Sequence, residues 1–169
     1  SRAAPAGGAA VIAVRAAVGA ARVLELHDRM INTLALLEAS CGGGGGGSAA
    51  AGGAAGGAGH LLASSCSDGT VKVWDVRRLG APGGGKRPVA LSVLRHQKSS
   101  QGAAWAPDGS GRLLSVSFDD TLKLWGPPAK AAEPGAVMEL VRSVRHNITT
   151  GRWVIPFRPA WWGGGAVLV

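Results

Sequence analysis

The sequence predicts an all-β chain that forms part of a β-propeller, and three observations predict it. Leu61–Asp75 and Leu113–Trp125 echo one another, with an aspartate (Asp68, Asp119) six positions before a tryptophan (Trp74, Trp125) in each. Those tryptophans lie 51 residues apart, and His96 and His146 lie 50 apart. Between them run short alternating segments bounded by Ser67-Asp68-Gly69 and Pro107-Asp108-Gly109, the pattern of half-buried strands joined by tight turns. Four short strands in a unit of about 40–50 residues make a propeller blade.

The elements follow in order. Residues 9–26 read as the closing strands of a preceding blade, Val11–Val14 and Arg22–Leu26, although helix is the rival reading of this alanine-rich stretch. Residues 27–94 form one unit, with strands at Met30–Leu37, Leu61–Ser65, Thr70–Trp74 and Pro88–Leu94 and a loop over 77–88. Within it, residues 42–59 are only Gly, Ala and one Ser, a tract with almost nothing to bury and a high ordering cost. His27 and His96 are 69 apart, and removing those 18 residues leaves 51, so the tract is an insert between the first and second strands of the unit. Residues 96–142 repeat the pattern with Gln101–Ala106, Arg112–Ser117, Thr121–Trp125 and an outer strand at Ala136–Val141. Residues 146–169 start a further blade with Phe157–Trp162 and Ala166–Val169. An arc of this kind does not close a ring and leaves strand edges unpaired, so a fragment of a larger propeller is expected.

Composition narrows the functional classes. The formal charge is +8, from 18 Lys or Arg against 10 Asp or Glu, which favours anionic partners: nucleic acid first, an acidic protein surface second. A base composition that favours arginine is the bland alternative. Cys41 and Cys66 have no neighbouring Cys-x-x-Cys or Cys-His spacing, so neither a metal nor a disulfide framework is expected, and a reducing compartment fits. No apolar run reaches the length of a membrane span. Gly83-Gly84-Gly85-Lys86 lacks the spacing of a phosphate-binding loop, and no cofactor is expected.

The repeated polar residues suggest a buried network rather than chemistry. A histidine leading into the unit, a second-strand hydroxyl, the turn aspartate and the third-strand tryptophan can bond in series. The sets are His27, Ser64, Asp68, Trp74 and His96, Ser115, Asp119, Trp125, with Ser65, Cys66 and Ser117 as alternative hydroxyl-position members. Because the repeat explains each member twice, a Ser-His-Asp catalytic reading is disfavoured and no enzyme activity is expected.

These segments resemble WD (WD40) repeats: the leading His, Pro-Asp-Gly, Ser-Asp-Gly-Thr and Trp74-Asp75, with a departure at Gly126 where Asp is usual. The resemblance implies a ring of seven blades. His27-Asp28-Arg29-Met30-Ile31-Asn32-Thr33 and Arg145-His146-Asn147-Ile148-Thr149-Thr150-Gly151-Arg152-Trp153-Val154-Ile155-Pro156-Phe157-Arg158-Pro159-Ala160-Trp161 resemble the WD-repeat protein 76 family, related to the damaged-DNA-binding protein 2 group. That resemblance implies work in the nucleus on duplex DNA or chromatin, beside histones or repair proteins, in the DNA damage response. It nominates Arg29, Lys98, Arg145, Asn147, Arg152 and Arg158 as phosphate contacts. Trp153 either stacks on a base or packs its loop onto the blade. Trp74-Asp75-Val76-Arg77 resembles the box by which WD proteins dock on the DDB1-type adaptor of cullin-4 ubiquitin ligases, with Arg77 the inserted group. An ion pair within the blade is the other reading of Arg77. A protein-interaction scaffold without nucleic-acid binding is the alternative function.

Overall fold

The computed structural model describes residues 10–15, 21–37, 60–79, 87–128, 138–147, 157–162 and 166–168. The chain begins with an antiparallel pair, β1 (Ala10–Arg15) and β2 (Ala21–His27). A four-stranded antiparallel sheet follows, ordered β3 (Ile31–Leu36), β4 (Leu61–Cys66), β5 (Thr70–Asp75) and β6 (Ser92–Arg95). A one-turn helix, α1 (Val76–Leu79), leaves β5. The second four-stranded sheet runs β7 (Ser100–Trp105), β8 (Leu113–Ser117), β9 (Thr121–Gly126) and β10 (Glu139–Arg145). The pair β11 (Ala160–Trp162) and β12 (Ala166–Leu168) closes the described residues. Strand order follows chain order in both four-stranded sheets, the meander of a propeller blade.

The sheets stack face to face, so strands are apolar on both sides. On β5, Val71 and Val73 face the second sheet and pack with Leu94, Trp105, Leu113 and Trp125. Trp74, on the opposite side of β5, packs with Leu24 and Leu26 of β2. Leu114, Val116 and Leu122 of the second sheet pack with Trp161 of β11. Each of Trp74 and Trp125 therefore faces the preceding sheet. Complete burial of a side chain the size of Leu113 contributes about 1.5–3 kcal/mol.

Indole donors tie the sheets together. Trp105 Nε1–H donates to the Ala35 carbonyl at 3.0 Å, and Trp161 Nε1–H to the Ala104 carbonyl at 3.0 Å. Ala35 and Ala104 each lie eight residues past their leading histidine, so the latch recurs from sheet to sheet. Gly102 completes the second contact, because a Cβ there would lie 2.6 Å from Pro159 Cδ.

Four element boundaries differ from the sequence expectation. β6 is Ser92–Arg95 rather than Pro88–Leu94: Pro88 has no N–H, Val89 is exposed, and the ladder contact nearest this end is Leu91 N–H to the Val73 carbonyl. β10 is Glu139–Arg145 rather than Ala136–Val141. Its residues are all exposed, so no burial pattern marks it, and pairing with β9 sets its extent. β11 starts at Ala160 rather than Phe157, after Pro159. Residues 76–79, of which 77–79 are expected in the loop, form α1 because the Asp75 carboxylate accepts the Arg77 backbone N–H at 3.0 Å and caps the turn. The insert at 42–59 lies outside the described residues, between β3 and β4.

Candidate nucleic-acid interface

The polar network is built twice. Ser64 Oγ lies 2.8 Å from both His27 Nε2 and Trp74 Nε1. Ser115 Oγ lies 2.7 Å from both His96 Nε2 and Trp125 Nε1. Each indole N–H donates to its serine oxygen. His96 Nδ1 lies 3.2 Å from Thr121 Oγ1, whose own proton goes to Asp119, so Nδ1 carries the ring proton and donates it, with Asp119 Oδ2 3.4 Å away. Nε2 of the neutral ring is then the acceptor, and the Ser115 hydroxyl donates to it. Burial pushes the His96 pKa down to about 4 against the pull of Asp119. Burial also lowers His27, followed by the charge of Lys72. At Asp68 and Asp119 burial acts to raise the carboxyl pKa, but hydrogen bonds from Thr70 and Thr121 outweigh it and hold both low.

A Ser-His-Asp order is thus present, but it lacks the conditions for attack. Ser115 is completely buried and its oxygen already accepts an indole proton. A nucleophile needs a reachable oxygen with a free lone pair.

The network organises one edge of the sheets. His96 N–H donates to the Gly69 carbonyl, and His146 N–H to the Asp120 carbonyl. Ser67 N–H donates to the Met30 carbonyl, and Phe118 N–H to the Ser99 carbonyl. Each lead-in loop is therefore laced to hairpin turns. Gly69, at φ 85°, is packed so closely that a Cβ would lie 2.8 Å from the Lys98 carbonyl. Asp120 holds the corresponding turn position at φ 57°.

The nominated cations are distributed along this edge. Arg29 and Lys98 occupy equivalent positions, two residues after His27 and His96, and both are exposed. Arg145 ends β10 and lines a shallow hollow with Asp120, His146 and Asn147. Arg158 is exposed just before β11. Arg152 and Trp153 lie outside the described residues. Acidic groups share the edge: Asp28 is exposed and ion-paired to Arg87 at 3.0 Å.

At the other end of β5, the Trp74 side chain is 1% exposed and its N–H is committed to Ser64. Asp75 is buried and grips Arg77 by two bonds of 3.0 Å, Nε–H to Oδ1 and Nη2–H to Oδ2. The Arg77 side chain remains 56% exposed. Of Trp74, Asp75 and Arg77, only Arg77 presents a surface to a partner.

Two recurring pairs escaped the sequence reading. Thr70 and Thr121 each donate to the turn aspartate. Lys72 and Lys123 cross their indole rings at 5.6 and 5.7 Å and donate to the carbonyls of Leu26 and Arg95, just before each leading histidine. Both pairs sit at the 51-residue spacing, and that spacing was the available signal.

Comparison with known proteins agrees with this geometry. The family model described as "WD domain, G-beta repeat" matches residues 56–75 and 90–126. The chain is 34% identical over 108 residues to the DNA damage-binding protein CMR1 of Chaetomium globosum, covering 60% of this chain and 20% of that protein. It is 36% identical over 110 residues to its namesake in Aspergillus terreus and 32% over 108 in Neurospora crassa, with the same coverage. The chain thus spans about one fifth of the length of these relatives. A chain of the crystal structure of the mitotic checkpoint complex superposes with a TM-score of 0.53 at 17% identity, covering 85% of this chain and 32% of that one. At that identity the likeness concerns the fold.

Proposed function

We propose that the chain, with its WD-repeat segments and its similarity to CMR1 proteins, forms part of a non-catalytic nuclear protein that binds duplex DNA or chromatin in the DNA damage response. The observation that carries this reading is the edge where Arg29 and Lys98 sit on loops laced to the hairpin turns and Arg145 ends β10 beside the laced His146. Cations spaced along one rim suit a phosphate backbone, which is recognised through charge and shape rather than base identity. Its test is duplex affinity against added salt. Each phosphate contact contributes a slope of about −0.9 in log affinity against log salt, so replacing Arg29, Lys98 and Arg145 with Ala should flatten the slope by roughly 2–3. An unchanged slope refutes the interface.

A second reading adds docking on a cullin-4 ligase adaptor through Arg77. It is favoured by the way Asp75 orients the guanidinium while leaving it outward. Arg77→Ala should abolish adaptor capture, and retained capture removes the reading. A scaffold that binds only proteins remains the competing function. It predicts co-purification of protein partners with no response to duplex DNA or to the three cation replacements.

A further inference from the structure

We propose that the first repeat holds a divalent metal ion of borderline softness, with Zn²⁺ as the probe, on His27 Nδ1, Cys66 Sγ and a carboxylate oxygen of Asp68. Ligand atoms of the three residues lie within 4.8 Å of one another. His27 and Cys66 are buried, and the Asp68 side chain, 29% exposed, opens the cluster to solvent. Sequence spacing conceals the set, because His27 precedes Cys66 by 39 residues and only the fold joins them.

The second repeat serves as an internal control. Ser117 stands at the position of Cys66, and its hydroxyl donates to the Lys98 carbonyl at 2.9 Å. Cys66 makes the equivalent but longer contact, 3.4 Å to the Arg29 carbonyl. Fastening the lead-in loop therefore needs only a hydroxyl, and the thiol is extra. His96 Nδ1 lies 3.4 Å from Asp119 and His27 Nδ1 3.9 Å from Asp68, and in both repeats the threonine hydroxyl is the hydrogen-bond partner of Nδ1, at 3.2 Å for Thr121 and 3.4 Å for Thr70.

The proton accounting closes. For Nδ1 to ligate, its proton must leave and Nε2 must carry one. Nε2–H then donates to Ser64 Oγ, and the Ser64 hydroxyl turns to the Lys72 carbonyl, which lies 3.4 Å away. The His27 ring stays neutral in both states. A thiol ligates as thiolate, so metal displaces the Cys66 proton to solvent. Binding therefore releases one proton per ion, and a dication with one thiolate and one carboxylate is charge-neutral. Zinc bonds of about 2.0–2.3 Å place tetrahedral ligand atoms about 3.3–3.8 Å apart, so a pair at the 4.8 Å limit closes by about 1–1.5 Å on binding. Thr70 Oγ1, 3.4 Å from His27 Nδ1, supplies a neutral fourth donor.

The full chain is dialysed against ZnCl₂ and CoCl₂, and bound metal, released protons and the thiolate-to-cobalt absorption band are measured. One ion per chain, one proton per ion and a cobalt–thiolate band are expected. Cys66→Ser installs the residue the second repeat already uses. It should weaken binding more than roughly tenfold, since even supporting groups are worth that much. Cys41→Ser should bind as the parent does. Sub-stoichiometric zinc in the parent, absence of the cobalt–thiolate band, or equal binding by Cys66→Ser overturns the site.

Discussion

Replacing Ser115 with Ala tests the structural role of the repeated network most directly. One oxygen there serves two buried groups, Trp125 Nε1 and His96 Nε2, each at 2.7 Å. Alanine removes the oxygen and leaves too little room for a water, since Ser115 has no exposed surface. An unsatisfied buried polar group costs about 1–3 kcal/mol, so two together should cost about 2–6 kcal/mol. The side chain loses almost no volume, so the cavity contribution is small. Urea unfolding of the full chain, followed by tryptophan fluorescence, reads the difference as a fall in midpoint at unchanged slope. Ser143→Ala, on the exposed strand β10, is the control and should stay within about 0.5 kcal/mol. A loss at Ser115 below about 1 kcal/mol refutes the hub, because the histidine and indole would then have other partners.

Acid should destabilise the chain before its carboxylates titrate. His96 has a folded pKa of about 4 against an ordinary 6.5, so its contribution is complete above pH 6.5 and is lost as pH falls toward 4. A shift of that size corresponds to about 3 kcal/mol, and His27 is lowered in the same direction. Unfolding free energies measured from pH 7 to 4 should fall across that window in the parent and much less in His96→Gln; parallel curves contradict the neutral buried ring. Gly102→Ala drives a methyl to 2.6 Å from Pro159 and should cost about 1–3 kcal/mol, with partial rescue by Pro159→Ala in a double-mutant cycle. Additive effects would place Pro159 elsewhere. Trp105→Phe removes the indole donor to Ala35 and should cost about 1–2 kcal/mol while increasing hydrogen exchange in β3; unchanged exchange rules out the latch.

The fold was legible because a propeller writes its period into the chain. The 51-residue spacing located both hairpins, and Asp68, Asp119, Trp74 and Trp125 stand at matching places in the two sheets. Boundaries were legible only where burial imposed alternation. β10 is exposed along its whole length, so its apolar residues carry no phase, and its extent comes from pairing with Thr121–Gly126. The cap at Asp75 was hidden for another reason: Trp-Asp-x-Arg reads as a recognition box, while the same carboxylate also starts a helical turn. The basic edge was legible as separate residues, but the lacing of lead-in loops to turns runs through backbone groups, which a sequence does not display.

Two repeats in one chain separate what the fold requires from what it permits. Positions identical in both units, such as Ser64 and Ser115 or Lys72 and Lys123, make the same bonds in both. Positions that differ carry local consequences. Gly126 replaces the aspartate found at Asp75, and a Cβ there would lie 2.9 Å from Val141 Cγ2. The second sheet thereby gains space for β10, where the first has a helix cap and a clamped arginine. Cys66 stands where the second unit has Ser117, and its bond to the lead-in carbonyl is longer, 3.4 Å against 2.9 Å. A repeat that kept only what a blade needs would use serine there, as the second one does. Cys66 and Arg77 therefore join the cations of the edge as the places where function is to be sought, since the remainder of the polar network is already explained by the stability of the blades.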